Sequence, residues 1–246
     1  MVQKTTMKKN LLLAAVTLLA GSLIAADSSP KEDVIAAAKK LADTSNYSWK
    51  STMDLGANSP VTPGPTEGKT EKDGFIWLSS TFNENTSEGV MKGTKVVVKT
   101  EEGWKTAEEA GGGGGGGFNM GAFMARRMQS LKAPAAEVED LVSKAKDIKK
   151  DGDVFSGDLT EDGAKALLTT GFGRRGGGQA PAATDAKGSV KFWIKDGVLT
   201  KYESKVSGKR DFNGEMRDME RTTTVEIKDV GTTKLEVPEE AKKKLS

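Results

Sequence analysis

The chain of 246 residues contains no cysteine and no histidine. Without cysteine there is no disulfide, no thiol nucleophile and no lipidated cysteine of the kind that tethers a bacterial lipoprotein. Without histidine there is no serine–histidine pair, no imidazole acid or base and no histidine-ligated metal, and the two absences together exclude most zinc sites. Aromatic residues make up only 6% of the chain, so the expected core is modest and built on a sheet. An enzyme would have to use carboxylate or serine–lysine pairs. Acidic neighbours such as Glu101–Glu102 and Glu108–Glu109 occur, but among 35 acids they arise by chance, and spacing alone does not create a shared cleft. The expectation is a non-enzyme with no catalytic residues, no metal and no cofactor.

What is present begins with a leader. Lys4, Lys8 and Lys9 precede an apolar stretch from Leu11 to Ala20, followed by small residues through Ala25 and Ala26, then Asp27, Ser28, Ser29 and Pro30. A positive, then apolar, then small-residue order is that of a secretory signal peptide. The mostly apolar run from Leu11 to Ala26 falls short of the ~20 residues that span a bilayer. Cleavage is expected after Ala25 or Ala26. That gives residues 1–26 as signal peptide and residues 27–246 as one α+β domain, periplasmic or secreted, soluble and without a stable membrane anchor.

Three of the 37 basic residues lie in the leader, which holds no acid, so the mature chain has 34 basic residues against 35 acidic ones. The basic excess of the whole sequence therefore belongs to the leader, and no nucleic acid is expected as partner.

Pro30 follows Ser28 and Ser29, with Glu32 and Asp33 in the first turn and Val34, Ile35, Ala38, Leu41 and Ala42 at helical spacing, so an amphipathic helix starts here. Tyr47, Trp49, Met53 and Leu55 alternate with polar residues and predict a half-buried strand. The stretch from Asn58 to Lys69, with Pro60, Pro63, Gly64 and Pro65, reads as a loop. Four turn signals, Asp73-Gly74, Asp151-Gly152, Asp196-Gly197 and Asn213-Gly214, mark tight hairpins. Strands are expected around them at 69–73, 75–82, 95–100, 145–150, 153–159, 188–195, 198–207, 209–212 and 215–229, with helices at 120–131, 135–145 and 161–168. Helices placed between groups of antiparallel strands indicate an α+β layer with one sheet face covered.

Gly171, Gly173 and Gly176 spell a dinucleotide-type glycine pattern, but a helix ends there instead of opening, so the 171–180 segment reads as a flexible loop. The glycine run 111–117 costs backbone entropy to order and reads as a tether. Behind it, Met120, Met124 and Met128 fall at four-residue steps beside Phe123 and Leu131, along one side of a helix. Two readings stay open: a movable lid with an adaptable methionine face over an apolar cavity, or a core helix behind a tolerated glycine expansion.

Two further stretches, GSVKFWIKDGVLTKYESKVSG at 188–208 and VEIKDVGTTKLEVPEEAKKKL at 225–245, resemble the periplasmic lipoprotein-carrier and mycobacterial-type lipid-binding lipoprotein superfamily. The resemblance implies a curved, incomplete antiparallel barrel, a half-barrel with helices on the concave face, that holds acyl chains. A lipid or lipoprotein acyl chain is the partner so implied, with Trp49, Met53, Trp77, Phe123, Met124, Met128, Phe192 and Ile194 as candidate lining residues. The alternative is a non-catalytic interaction module of the cell envelope with no ligand cavity.

Overall fold

The computed structural model describes residues 28–57, 59, 62–82, 85–111, 119–169, 183–212 and 214–246. The expected leader and the glycine segments 112–117 and 171–180 lie outside the described residues.

The first helix, α1 (Pro30–Ala42), is set by its sequence: Ser29 and Glu32 form a reciprocal capping box, Pro30 takes the first turn, and Val34, Ala37, Ala38 and Leu41 are buried on one face. There follow β1 (Tyr47–Asp54), β2 (Pro63–Thr70), β3 (Phe75–Phe82), β4 (Asn85–Lys92), β5 (Lys95–Thr100), β6 (Gly103–Thr106), α2 (Ala107–Gly111), α3 (Met120–Gln129) and α4 (Pro134–Lys144). The chain continues through β7 (Ala145–Asp151), β8 (Val154–Leu159), α5 (Glu161–Thr169), β9 (Thr184–Lys195), β10 (Val198–Phe212), β11 (Glu215–Lys228) and α6 (Glu239–Leu245). All eleven strands form one sheet in the order β6-β5-β4-β3-β2-β1-β11-β10-β9-β8-β7. Every pairing is antiparallel, and the sheet is curved and open, as expected for an α+β half-barrel. Two meanders, β1–β6 and β7–β11, are joined at the centre by β1 against β11.

Helices α1, α3, α4 and α5 cover the concave face, where one cluster of buried side chains runs from Val98 to Phe155. Helix α6 departs from the expected arrangement and packs on the opposite face, over β4, β5 and β6.

Several local expectations are corrected. The Asn58–Lys69 loop contains β2 from Pro63 on, because Pro63 and Pro65 sit at a bulged end whose regular ladder with β1 begins only at Thr66. Strand β4 was not expected, since two of its inward positions, Ser87 and Gly89, carry no apolar signal. The expected strands 198–207 and 209–212 are one strand with irregularities at Leu199/Lys201 and Ser207/Lys209. At Asp196-Gly197 both residues take positive φ, 53° and 71°, as the tightest hairpin turn requires.

Candidate functional site

The register across β1 to β5 arranges the concave face in rows. One row reads Tyr47, Thr70, Ile76, Met91 and Val96; the next reads Trp49, Gly68, Leu78, Gly89 and Val98. The third is different in kind: Ser51, Thr66, Ser80 and Ser87, four hydroxyls on four adjacent strands. Cross-strand neighbours are about 5 Å apart, so each row behaves as a continuous stripe. The first two rows are mostly apolar and the third is made of hydroxyls.

Glycines make room in the second row and large side chains take it. A Cβ built on Gly68 would fall within the Trp49 ring, 2.6 Å from Cη2 and nearer to Cε2 and Cζ2. One built on Gly89 would collide with the Met128 sulfur. Further along, a Cβ on Gly208 would stand 2.8 Å from Leu168 Cδ1 of α5. Helix α3 and helix α5 thus each press a side chain into a glycine gap, and in sequence each adjoins one of the two glycine-rich segments.

Of the eight candidate lining residues, Trp49, Met124, Met128, Phe192 and Ile194 belong to the one concave core, and Met53 is half-buried on the same face. Met124 and Met128 are fully enclosed at 0% exposure, whereas Phe123 is 36% exposed on the outer side of α3. Trp77 is corrected to the opposite face: it lies across from Lys69 and Val90 and packs with Trp104, Ala241 and Leu245 beneath α6. Phe192 on β9 lies six strands from Gly89 on β4, about 29 Å along the sheet at the usual strand spacing, so the candidates do not converge on one point. The expectation of a concave side that its own helices leave unfilled is also corrected among the described residues. Two clefts stand out there. One, of about 350 Å³, is lined by Leu55, Lys187, Lys209, Asp218 and Glu220; the other, of about 180 Å³, lies between α2 and α3 beside Ala125 and Arg126. Both are half polar and neither lies beneath α3.

The sequence reading missed the polar groups on this face. Arg127 of α3 turns inward and its Nη2 donates to Thr66 Oγ1 at 2.6 Å, while Thr66 Oγ1 and Ser80 Oγ share a hydrogen bond of 3.3 Å. Burial lowers the Arg127 pKa. Over the other half of the sheet, the Tyr202 hydroxyl donates to Glu137 Oε2 at 2.6 Å, and Arg221 bonds the Leu167 carbonyl nearby. The Ala135 backbone N–H donates to the Tyr47 phenol oxygen, serving a helix start that Ala133 cannot cap; burial pushes Tyr47 up to about 12. A cue existed in the alternation of small residues, Thr66-x-Gly68 and Ser87-x-Gly89, which marks an inward face with room above it.

Glu137 gives a pH prediction. Burial is the largest influence and raises its carboxyl above the ordinary 4.5, against the Tyr202 hydrogen bond and the Arg221 charge. The folded chain then holds this proton more tightly than the unfolded chain, so this group's contribution to stability falls as pH rises from 4.5 through the raised value. The paired carboxylates, such as Asp140 beside Lys144, run the other way. Glu137→Gln, an isostere of the protonated acid, is expected to match the parent protein in acid and to be the more stable of the two near neutral pH in urea unfolding. Equal stability of the two proteins at every pH would contradict a desolvated carboxyl.

No protein-family model and no curated protein matches the chain. Among solved structures it is similar to the lipoprotein LppX of Mycobacterium tuberculosis, at 9% identity and a TM-score of 0.46 over 85% of this chain and 98% of that one. It is similar to LprF of Mycobacterium bovis at 11% identity and a TM-score of 0.44, covering 86% and 98% of the two chains. A DUF1329 family protein from Desulfovibrio piger follows at 9% identity and a TM-score of 0.24, covering 84% and 96%. Among the described residues no helix is long and apolar enough to cross a membrane.

Proposed function

We propose that the protein is an exported carrier or sensor that binds an apolar ligand, a lipid or lipoprotein acyl chain, on the concave side of the sheet beneath α3. The observation that carries this reading is what fills the space there: unbranched methionines, one seated over Gly89, on a short helix of ten residues. Methionine adapts its shape to what it meets, and a helix held by two such side chains can yield its place to a hydrocarbon chain. Each methylene so buried contributes about 0.8 kcal/mol, so affinity requires no catalytic group. Export rests on the leader. The capping box of α1 begins at Ser29, so cleavage after Ala25 or Ala26 leaves the first helix intact.

The test is mass spectrometry of an organic extract of the purified protein, followed by titration of the extracted protein with a fluorescent fatty acid. Lipid in the extract and saturable probe binding are expected. A protein that is clean and also ignores the probe removes the proposal.

A second reading, a non-catalytic envelope module that binds another protein and keeps its concave face shut, is favoured by the complete burial of Met124 and Met128. It predicts the clean, probe-free result.

A further inference from the structure

The hydroxyl row and Arg127 have no part in binding a hydrocarbon. Thr66, Ser80 and Ser87 are 5%, 5% and 6% exposed, yet they interrupt a face whose neighbouring rows are made of Trp49, Leu78 and Val98. Above them stands a guanidinium with five N–H donors in a rigid fork, of which one meets Thr66. Among the described residues no carboxylate comes within ion-pair distance of Arg127, and desolvation lowers its pKa without opposing charge. A cation taken out of water beside neutral oxygens is stabilised poorly until an anion joins it. Hydroxyls can turn to donate as readily as accept, so the same row that now accepts from Arg127 can donate to an anion's oxygens. The apolar rows lie on one side of this group.

We infer that Arg127, with Thr66, Ser80 and Ser87, receives the acidic group of the ligand, a carboxylate or a phosphate, and that the ligand is therefore an anionic amphiphile whose chain runs along the Trp49–Leu78 row. This rests on the proposed apolar-ligand reading and narrows it. A charge-assisted, forked pair is the geometry for which arginine exceeds lysine.

The experiment uses the lipid-extracted protein and three probes of one chain length: dodecanoate, dodecyl phosphate and methyl dodecanoate, each displacing a fluorescent fatty acid. At neutral pH the two acids are expected to bind about tenfold or more tightly than the ester. Which acid leads tells a fatty acid from a phosphate-bearing lipid. Arg127→Gln is expected to bring the acids down to the ester, and Arg127→Lys to keep part of the preference, with thermal unfolding checking that each variant folds. The comparison of acid with ester in the unaltered protein stands even if a variant does not fold. Ester bound as tightly as both acids overturns the anionic assignment and leaves apolar binding intact. Failure of all three probes overturns the assignment together with the reading beneath it.

Discussion

Gly68→Ala is expected to destabilise the protein by about 3 kcal/mol in urea unfolding, close to the loss from removing the Trp49 ring altogether. The reason is local. Strand β2 places residue 68 directly opposite Trp49, and the indole lies flat in the space that a side chain would claim, against Ile227 on its other flank. A methyl group there drives the ring from a site where it is 5% exposed, and with it the contact that joins the two meanders at β1. Alanine suits a strand slightly better than glycine, an opposing gain of under about 1 kcal/mol that does not change the sign. A double-mutant cycle separates this cause from a general intolerance of β2. With Trp49→Leu in place, Gly68→Ala is expected to cost less than about 1 kcal/mol, since the smaller side chain leaves room for the methyl. Additive losses would show that the ring and the glycine are not one unit.

Much of the fold was legible because its periodicities are clean. Helices α1, α3, α4 and α5 carry apolar stripes at helical spacing, and the Asp-Gly pairs at 151, 196 and 73 do stand between paired strands. Strand β4 was hidden for a reason that matters to function: two of its inward residues, Ser87 and Gly89, are small, and Gly89 leaves space that Met128 of α3 takes. Strand β2 was hidden by prolines that belong to its bulged end. The face of Trp77 was illegible because Phe75, Ile76, Trp77 and Leu78 are all apolar and β3 is covered on both sides, by the concave core on one and by the α6 cluster on the other. Alternation cannot assign an inside to a strand that has two.

The candidate site shows the same division. The methionine stripe identified α3 as the helix of interest, and the structure places Met124 and Met128 at the core. Arg127 went unnoticed because a single basic residue in an exposed-looking helix carries no periodic signal. Only the register that lines up Ser51, Thr66, Ser80 and Ser87 beneath it shows that its position is unusual.

The central claim, that an apolar chain takes the place of the methionines beneath α3, is tested most directly by fastening that helix to the sheet. The native chain has no cysteine, so the pair Gly89→Cys and Met128→Cys introduces the only thiols, at two positions where the Met128 sulfur already meets the site of a Gly89 side chain. A disulfide there holds α3 on β4, and dithiothreitol frees it. Fluorescent fatty acid is then titrated into the oxidised and reduced forms of the same preparation. The account predicts saturable binding to the reduced form and affinity lower by about tenfold or more in the oxidised form. Equal binding by the two forms, or binding by neither, would contradict it.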